Sequence, residues 1–159
     1  MQRPSARGLV PLATLLAGCG GAAGTGGPSA TCPIATAPAT PHFAADLVPA
    51  LGASCGAGSS TCHGSPPDGH VSFATGATRA AHDVWLGLVN VVPANAPAGE
   101  GWLRVAPGDV AHSWLIAKIT EDQPGGSGYG ARMPLGAPDL CGPTVDAFAR
   151  WIAAGATDD

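Results

Sequence analysis

Large apolar residues recur at helical spacing in four short stretches of this chain. Phe43, Leu47, Val48 and Leu51 make the first, with Pro49 as a possible kink inside it. The second runs from about Thr78 to Asn90 and aligns Val84, Trp85, Leu88 and Val89. The third follows Asp109, which has the side chain of a helix N-cap, and carries Val110, Trp114, Leu115 and Ile119. The fourth follows Pro143 with Val145, Phe148, Trp151 and Ile152, and Gly155 is placed to close it. Strand signals are weak, and Leu103 to Val105 is the best of them. Before these elements lie an apolar run from Leu9 to Leu16 and then residues 20–41, which are Gly, Ala, Ser, Thr and Pro with almost nothing large. That stretch has the composition of a linker and cannot bury a core. The pattern predicts one small, all-α, loop-rich domain over residues 42–159, within the usual size of a single domain.

The N-terminus has the marks of a secretory signal. Arg3 and Arg7 stand there without an acid, and the apolar run after them is far short of the roughly 20 residues that span a bilayer. It ends in Leu16-Ala17-Gly18-Cys19, which resembles the bacterial lipobox. The resemblance implies a bacterial source, a signal peptide over 1–18, a lipid on Cys19 and a flexible tether over 19–41. The protein would then be held in the cell envelope, on the periplasmic side or at the outer membrane, with the membrane as a partner through the lipid. An ordinary secretory signal with an accidental cysteine is the alternative.

Charge narrows the partners. The chain has seven basic and eleven acidic residues. Loss of Arg3 and Arg7 with the signal leaves a formal charge of −6, and phosphate contacts need clustered cations, so nucleic acid is not expected as a partner. With Cys19 lipidated, Cys32, Cys55, Cys62 and Cys141 remain in an oxidising compartment, and four cysteines allow three pairings. Chain-entropy arithmetic gives about 4.6 kcal/mol for a Cys55–Cys141 bridge and about 2.5 for Cys55–Cys62, which favours the longer link without selecting it. Aromatic residues make up only 5% of the chain, so the core is thin for the loops it must hold. Disulfides or a buried apolar cofactor would help.

Cys62-His63-Gly64 carries the candidate chemistry. A His directly after a Cys is the second half of C-x-x-C-H, the c-type haem attachment signature, in which the His ligates iron and each Cys forms a thioether. Three residues before Cys62 stands Ser59, and the nearest upstream cysteine is Cys55, seven residues back. In a straight helix that offset is roughly 10 Å of rise. Gly56 and Gly58 would let the segment fold back instead. Attachment through Cys55 and Cys62, through Cys62 alone, or not at all are all open on this spacing. Met133 is the one methionine besides Met1, and it precedes Pro134 in a Gly-rich loop rather than on a helix stripe. A loop-borne thioether is how Met reaches haem iron, and His/Met ligation raises the potential. His42, His70, His82 and His112 read as surface or structural residues, and no paired zinc motif or hydrolase triad is present.

Cys62-His63-Gly64, Trp85 to Asn90, Arg104 to Asp109, Ser113 to Lys118, Met133-Pro134 and Phe148 to Ala156 follow in an order that resembles the cytochrome c-like domains of bacterial exported proteins, including those of planctomycetes and myxobacteria. The resemblance implies His63 as proximal iron ligand, Met133 as distal ligand, Cys62 as covalent anchor and haem c as cofactor. It leaves Cys141 as an extra cysteine, a partner for Cys55 where Cys55 does not hold haem. The expected function is that of a lipid-anchored electron carrier, not an enzyme, with an unidentified periplasmic redox partner. Met133 on the distal side argues against a peroxidase. The rival reading is a haem-less, disulfide-held structural or interaction lipoprotein with the same fold.

Overall fold

The computed structural model describes residues 32–56, 63–64, 71–73 and 80–159. Among them are four α-helices and no strand: α1 (Val48–Leu51), α2 (Ala81–Leu88), α3 (Trp114–Thr120) and α4 (Gly142–Ala153). Wider π-helical turns, Phe43–Leu47 and Gly52–Gly56, flank α1. Pro49 explains the widening at its N-terminal side. It has no N–H to give, and its ring would meet the carbonyl four residues back, so the preceding turn opens to i→i+5 spacing. The periodicity of the segment survives, because Phe43, Leu47, Val48 and Leu51 are all buried.

The core forms where this first segment meets α2 and α4. Phe43 stacks on Trp151 with ring centroids 4.8 Å apart. Leu47, Leu51, Val84, Leu88, Val105, Phe148 and Ile152 close around the pair, each fully or almost fully buried. The end of α4 is closed by backbone bonds as the Gly155 reading requires. Gly155 takes φ +107 and gives its N–H to the Ile152 carbonyl, and the Ala156 N–H reaches Trp151 at 2.9 Å. The turn then offers the Ala156 carbonyl to Trp85 Nε1 at 2.8 Å, which ties α4 to α2.

The weak strand signal at Leu103–Val105 becomes a clasp of isolated bridges. Val105 N–H donates to Leu88 at the end of α2, and the carbonyls of Leu103 and Arg104 accept the N–H groups of Trp114 and Leu115. The first donors of α3 are therefore satisfied by a neighbouring segment rather than by a side chain. This corrects the expectation for Asp109. α3 begins at Trp114, five residues later, with Ser113 at the N-cap position and no side-chain cap. Asp109 instead accepts the His112 N–H at 3.1 Å and pairs with the His112 ring, holding a local turn.

A disulfide joins Cys32 to Cys141, 109 residues apart. Cys55 is an unpaired, buried thiol, so the Cys55–Cys141 link expected above is not the one formed. The reason is spatial. Cys141 stands at the N-cap of α4, where Thr144 Oγ1 exchanges hydrogen bonds with both backbone groups of Ile34 and so brings the segment after Cys32 alongside. Closing 109 residues stabilises by about 4.8 kcal/mol on the chain-entropy model, almost the same as the rejected link, so proximity and not loop length decides. Ile34 and Ala37, read above as the end of the linker, pack on the core.

The chain end is clamped to the first helical turn. Asp159 accepts the Phe43 N–H at 2.8 Å and His42 Nδ1 at 2.9 Å. Its carboxyl is held below the usual carboxylate range, first by the Phe43 backbone bond. A depressed folded-state pKa means stability that is present above the unfolded value, about 3.9, and lost as pH falls through the folded value. Below about pH 4 the Phe43 amide is therefore expected to gain solvent exchange. Asp159→Asn should remove that acid dependence when the same amide is followed by hydrogen exchange; an unchanged profile in the variant would refute the assignment.

Candidate functional site

A cavity of about 450 Å³ lies between the end of the first helical segment, the 71–73 segment, α3 and the loop that follows α3. Cys55, His63 and Met133 all line it. The three residues are far apart in sequence, and each is fixed by a separate set of bonds.

His63 is held from both sides. Its N–H donates to the Cys55 carbonyl at 3.2 Å, and its own carbonyl accepts the Phe73 N–H at 2.7 Å. That bond sets the His63 and Cys55 backbones side by side, eight residues apart in sequence. The ring is oriented as well, with Nδ1 3.0 Å from the Val71 carbonyl and the Phe73 ring 4.9 Å away. A carbonyl can only accept, so Nδ1 carries the proton and Nε2 of the neutral ring is left with a lone pair. This is the arrangement a metal-binding imidazole needs. Cys55 is buried on the same wall. Burial pushes its thiol up, and the Ser54 hydroxyl offsets part of that rise. Its immediate neighbour in the candidate motif, Cys62, lies outside the described residues, as do Cys19 and His70.

The Met133 loop is fastened along α3 rather than left loose. Met133 N–H donates to the Lys118 carbonyl at 2.6 Å, while Lys118 Nζ donates to Ala131 at 2.8 Å and to Tyr129 at 3.3 Å. Arg132 reaches the Thr120 carbonyl at the end of α3 and pairs with Asp122 and Asp139. The Gly-rich stretch has a steric role at Gly125. There φ is +70, and a Cβ would stand 2.7 Å from the Pro97 ring and 3.0 Å from Trp114. Only glycine lets the loop lie this close to the cavity wall.

The rest of the lining is largely apolar, with Val71, Phe73, Leu88, Trp114, Leu115 and Ile119 as its body. Two cations, Arg104 and Lys118, also line it, and both are half-buried. Desolvation pulls both below their ordinary pKa values. These two and Tyr129 were not singled out from the sequence, although Lys118 is the one lysine of the chain and so could have been. Cys32 and Cys141 do not line the cavity. His42, His82 and His112 are exposed, and each pairs with an aspartate: Asp159, Asp158 and Asp109. Among the described residues, His63 is thus the one histidine on the cavity, and no three His, Cys, Asp or Glu side chains gather as a metal cluster. No helix of the described residues is long and apolar enough to cross a membrane.

The arrangement offers one imidazole nitrogen, one thioether and one buried thiol facing a largely apolar space, with two cations on its wall. Comparison with known proteins finds no matching family model, curated protein or solved structure.

Proposed function

We propose that this protein is a haem-binding electron carrier of the c-type cytochrome class, tethered to a bacterial envelope membrane through a lipid on Cys19. The observation that carries the reading is that His63, with Nε2 left for ligation, and Met133 share one largely apolar cavity with Cys55. The size of the cavity lies within the range of small-molecule and cofactor sites. The donor set suits the group too. One imidazole and one thioether are too few for a bare zinc ion, which takes three or four protein ligands, but they would suffice as the protein's ligands to an iron already held by a macrocycle.

On this reading His63 would hold the iron, with Val71 fixing the ring. Met133 would supply the second ligand from a loop that Lys118 and Arg132 fasten to α3. Cys55 and Cys62 are the candidates for covalent attachment. The haem would supply the one-electron chemistry. The protein's part would be to offer His63 and Met133 to the iron and to exclude water with the walls of Phe73, Leu88, Leu115 and Ile119. A filled sixth position favours electron transfer over oxygen or peroxide chemistry, so no enzymatic turnover is expected.

A specific observation favours a second reading, the haem-less structural lipoprotein. The Cys32–Cys141 bridge fastens the segment after Cys32 to the start of α4 by a covalent link of the chain itself. Expression of the full chain beside the haem-attachment machinery separates the two. The expected product is membrane-associated and shows a c-type spectrum that survives acid-acetone extraction, because a thioether is not extracted. Cys19→Ala should release it from the membrane fraction or block its processing. A colourless product, made beside a control cytochrome that does acquire haem, would leave only the structural reading.

A further inference from the structure

The loop that carries Met133 has Gly125, Gly126, Gly128 and Gly130 at positive φ. A glycine-rich backbone loses much conformational entropy when it is ordered, and a methionine adds three rotatable bonds of its own. The thioether meets a fixed point only where something else holds that backbone. Lys118, in the last turn of α3, holds it at three places. Its carbonyl accepts the Met133 N–H at 2.6 Å, and its Nζ donates to the carbonyls of Ala131 at 2.8 Å and Tyr129 at 3.3 Å. Residues 129–133 thus pass around the ammonium group. They pass close to it: at Gly130, where φ is +86, a Cβ would stand 3.1 Å from Nζ. Nζ also lies over the Trp114 ring, 5.9 Å from its centroid, and Trp114 makes an edge contact with Tyr129.

A half-buried ammonium costs desolvation free energy, and here carbonyl dipoles and an aromatic face offset it. The other fastening of the loop is weaker. Arg132 pairs with Asp122 and Asp139, whose side chains are 85% and 56% exposed, and ion pairs that exposed contribute little. We propose that Lys118 is a positioning residue for Met133: its ammonium group is the post around which residues 129–133 are wound, and this winding sets the thioether at the cavity. The proposal rests on the reading of Met133 as an iron ligand, and it adds which residue makes that ligation strong. Removing the ammonium leaves the backbone bond from Met133 to α3 in place but frees Tyr129 and Ala131, so the ligand is loosened without being deleted.

The test uses the full chain expressed beside the haem-attachment machinery, with two readouts. The first is hydrogen exchange at the Met133 amide. Lys118→Leu should speed it roughly tenfold, the scale of one charge-assisted hydrogen bond, although the carbonyl that accepts this N–H is retained. Lys118→Gln, a milder truncation that also removes the charge, gives the same comparison if Lys118→Leu does not fold. The second readout is the redox potential. Lys118→Leu should lower it, and adding Lys118→Leu to Met133→Ala should lower it no further, because a residue that acts through Met133 has nothing left to act on. A fall of equal size in both backgrounds would mark Lys118 as a charge near the iron and overturn the positioning role. Met133 exchange that matches the wild type in both Lys118 variants would overturn it as well. A colourless product removes the haem reading, and the exchange rates then decide alone whether Lys118 holds the loop.

Discussion

His63→Ala is expected to leave the protein without stably incorporated haem, whereas Met133→Ala should keep covalent haem and lose only the sixth ligand. The two substitutions differ because the two side chains are held differently. His63 is bonded through its amide to Cys55, through its carbonyl to Phe73 and through Nδ1 to Val71. It follows Cys62 directly in sequence, so on the proposed reading it stands where attachment and ligation would meet. Met133 is held by one backbone bond to Lys118, on a loop fastened by other residues. Its removal leaves that loop in place and opens one position. Loss of a thioether ligand should lower the potential, since His/Met ligation raises it. The measurements are an extraction-resistant spectrum for each variant and a redox titration of Met133→Ala. Full covalent haem in His63→Ala would overturn the ligand assignment. An unchanged potential in Met133→Ala would move the sixth ligand to another residue.

The paired replacement of Cys32 and Cys141 by Ser should cost about 2–5 kcal/mol of folding stability, read as a lower denaturant midpoint, with a fall in melting temperature on the order of 10 °C. The bridge spans 109 residues, and the domain has few large residues to compensate for its loss. The Thr144–Ile34 hydrogen bonds would remain, but alone they hold a segment of which Cys32, Thr36 and Ala35 are exposed. A non-reducing peptide map of haem-free protein should return the Cys32–Cys141 peptide, with Cys55 alkylated only after unfolding. The thiol is slow because it is buried and stays protonated at neutral pH. A Cys55–Cys141 peptide, or stability unaffected by the double substitution, would refute the bridge.

Much of the secondary structure was legible because its signals are local. The apolar residues of all four helical stretches lie three or four positions apart, and those of α4 turn inward together as Phe148, Trp151 and Ile152. The Gly155 stop also rests on the chain next to it, through the bonds to Ile152 and Trp151. Asp109 misled for a related reason. It has the side chain of a cap, but the donors of α3 it would have met are taken by Leu103 and Arg104, a segment whose position no local rule gives.

His63 and Met133 stood out by residue type and neighbours, as a His after a Cys and as a lone loop Met. That they face one cavity with Cys55 was decided only by the tertiary structure, because 70 residues separate the two and the cavity is the gap between elements packed on Phe43 and Trp151. The same holds for the disulfide. Loop entropy changes only with the logarithm of length, so Cys32 and Cys55 are nearly equal partners for Cys141 along the chain. The hydrogen bonds of Thr144 to Ile34 and the burial of Cys55 on the cavity wall choose between them. Arg104 and Lys118 were given no role of their own in one dimension. Packing of the 103–105 clasp against α3 turns them toward the cavity, where low polarity makes the charge they meet matter.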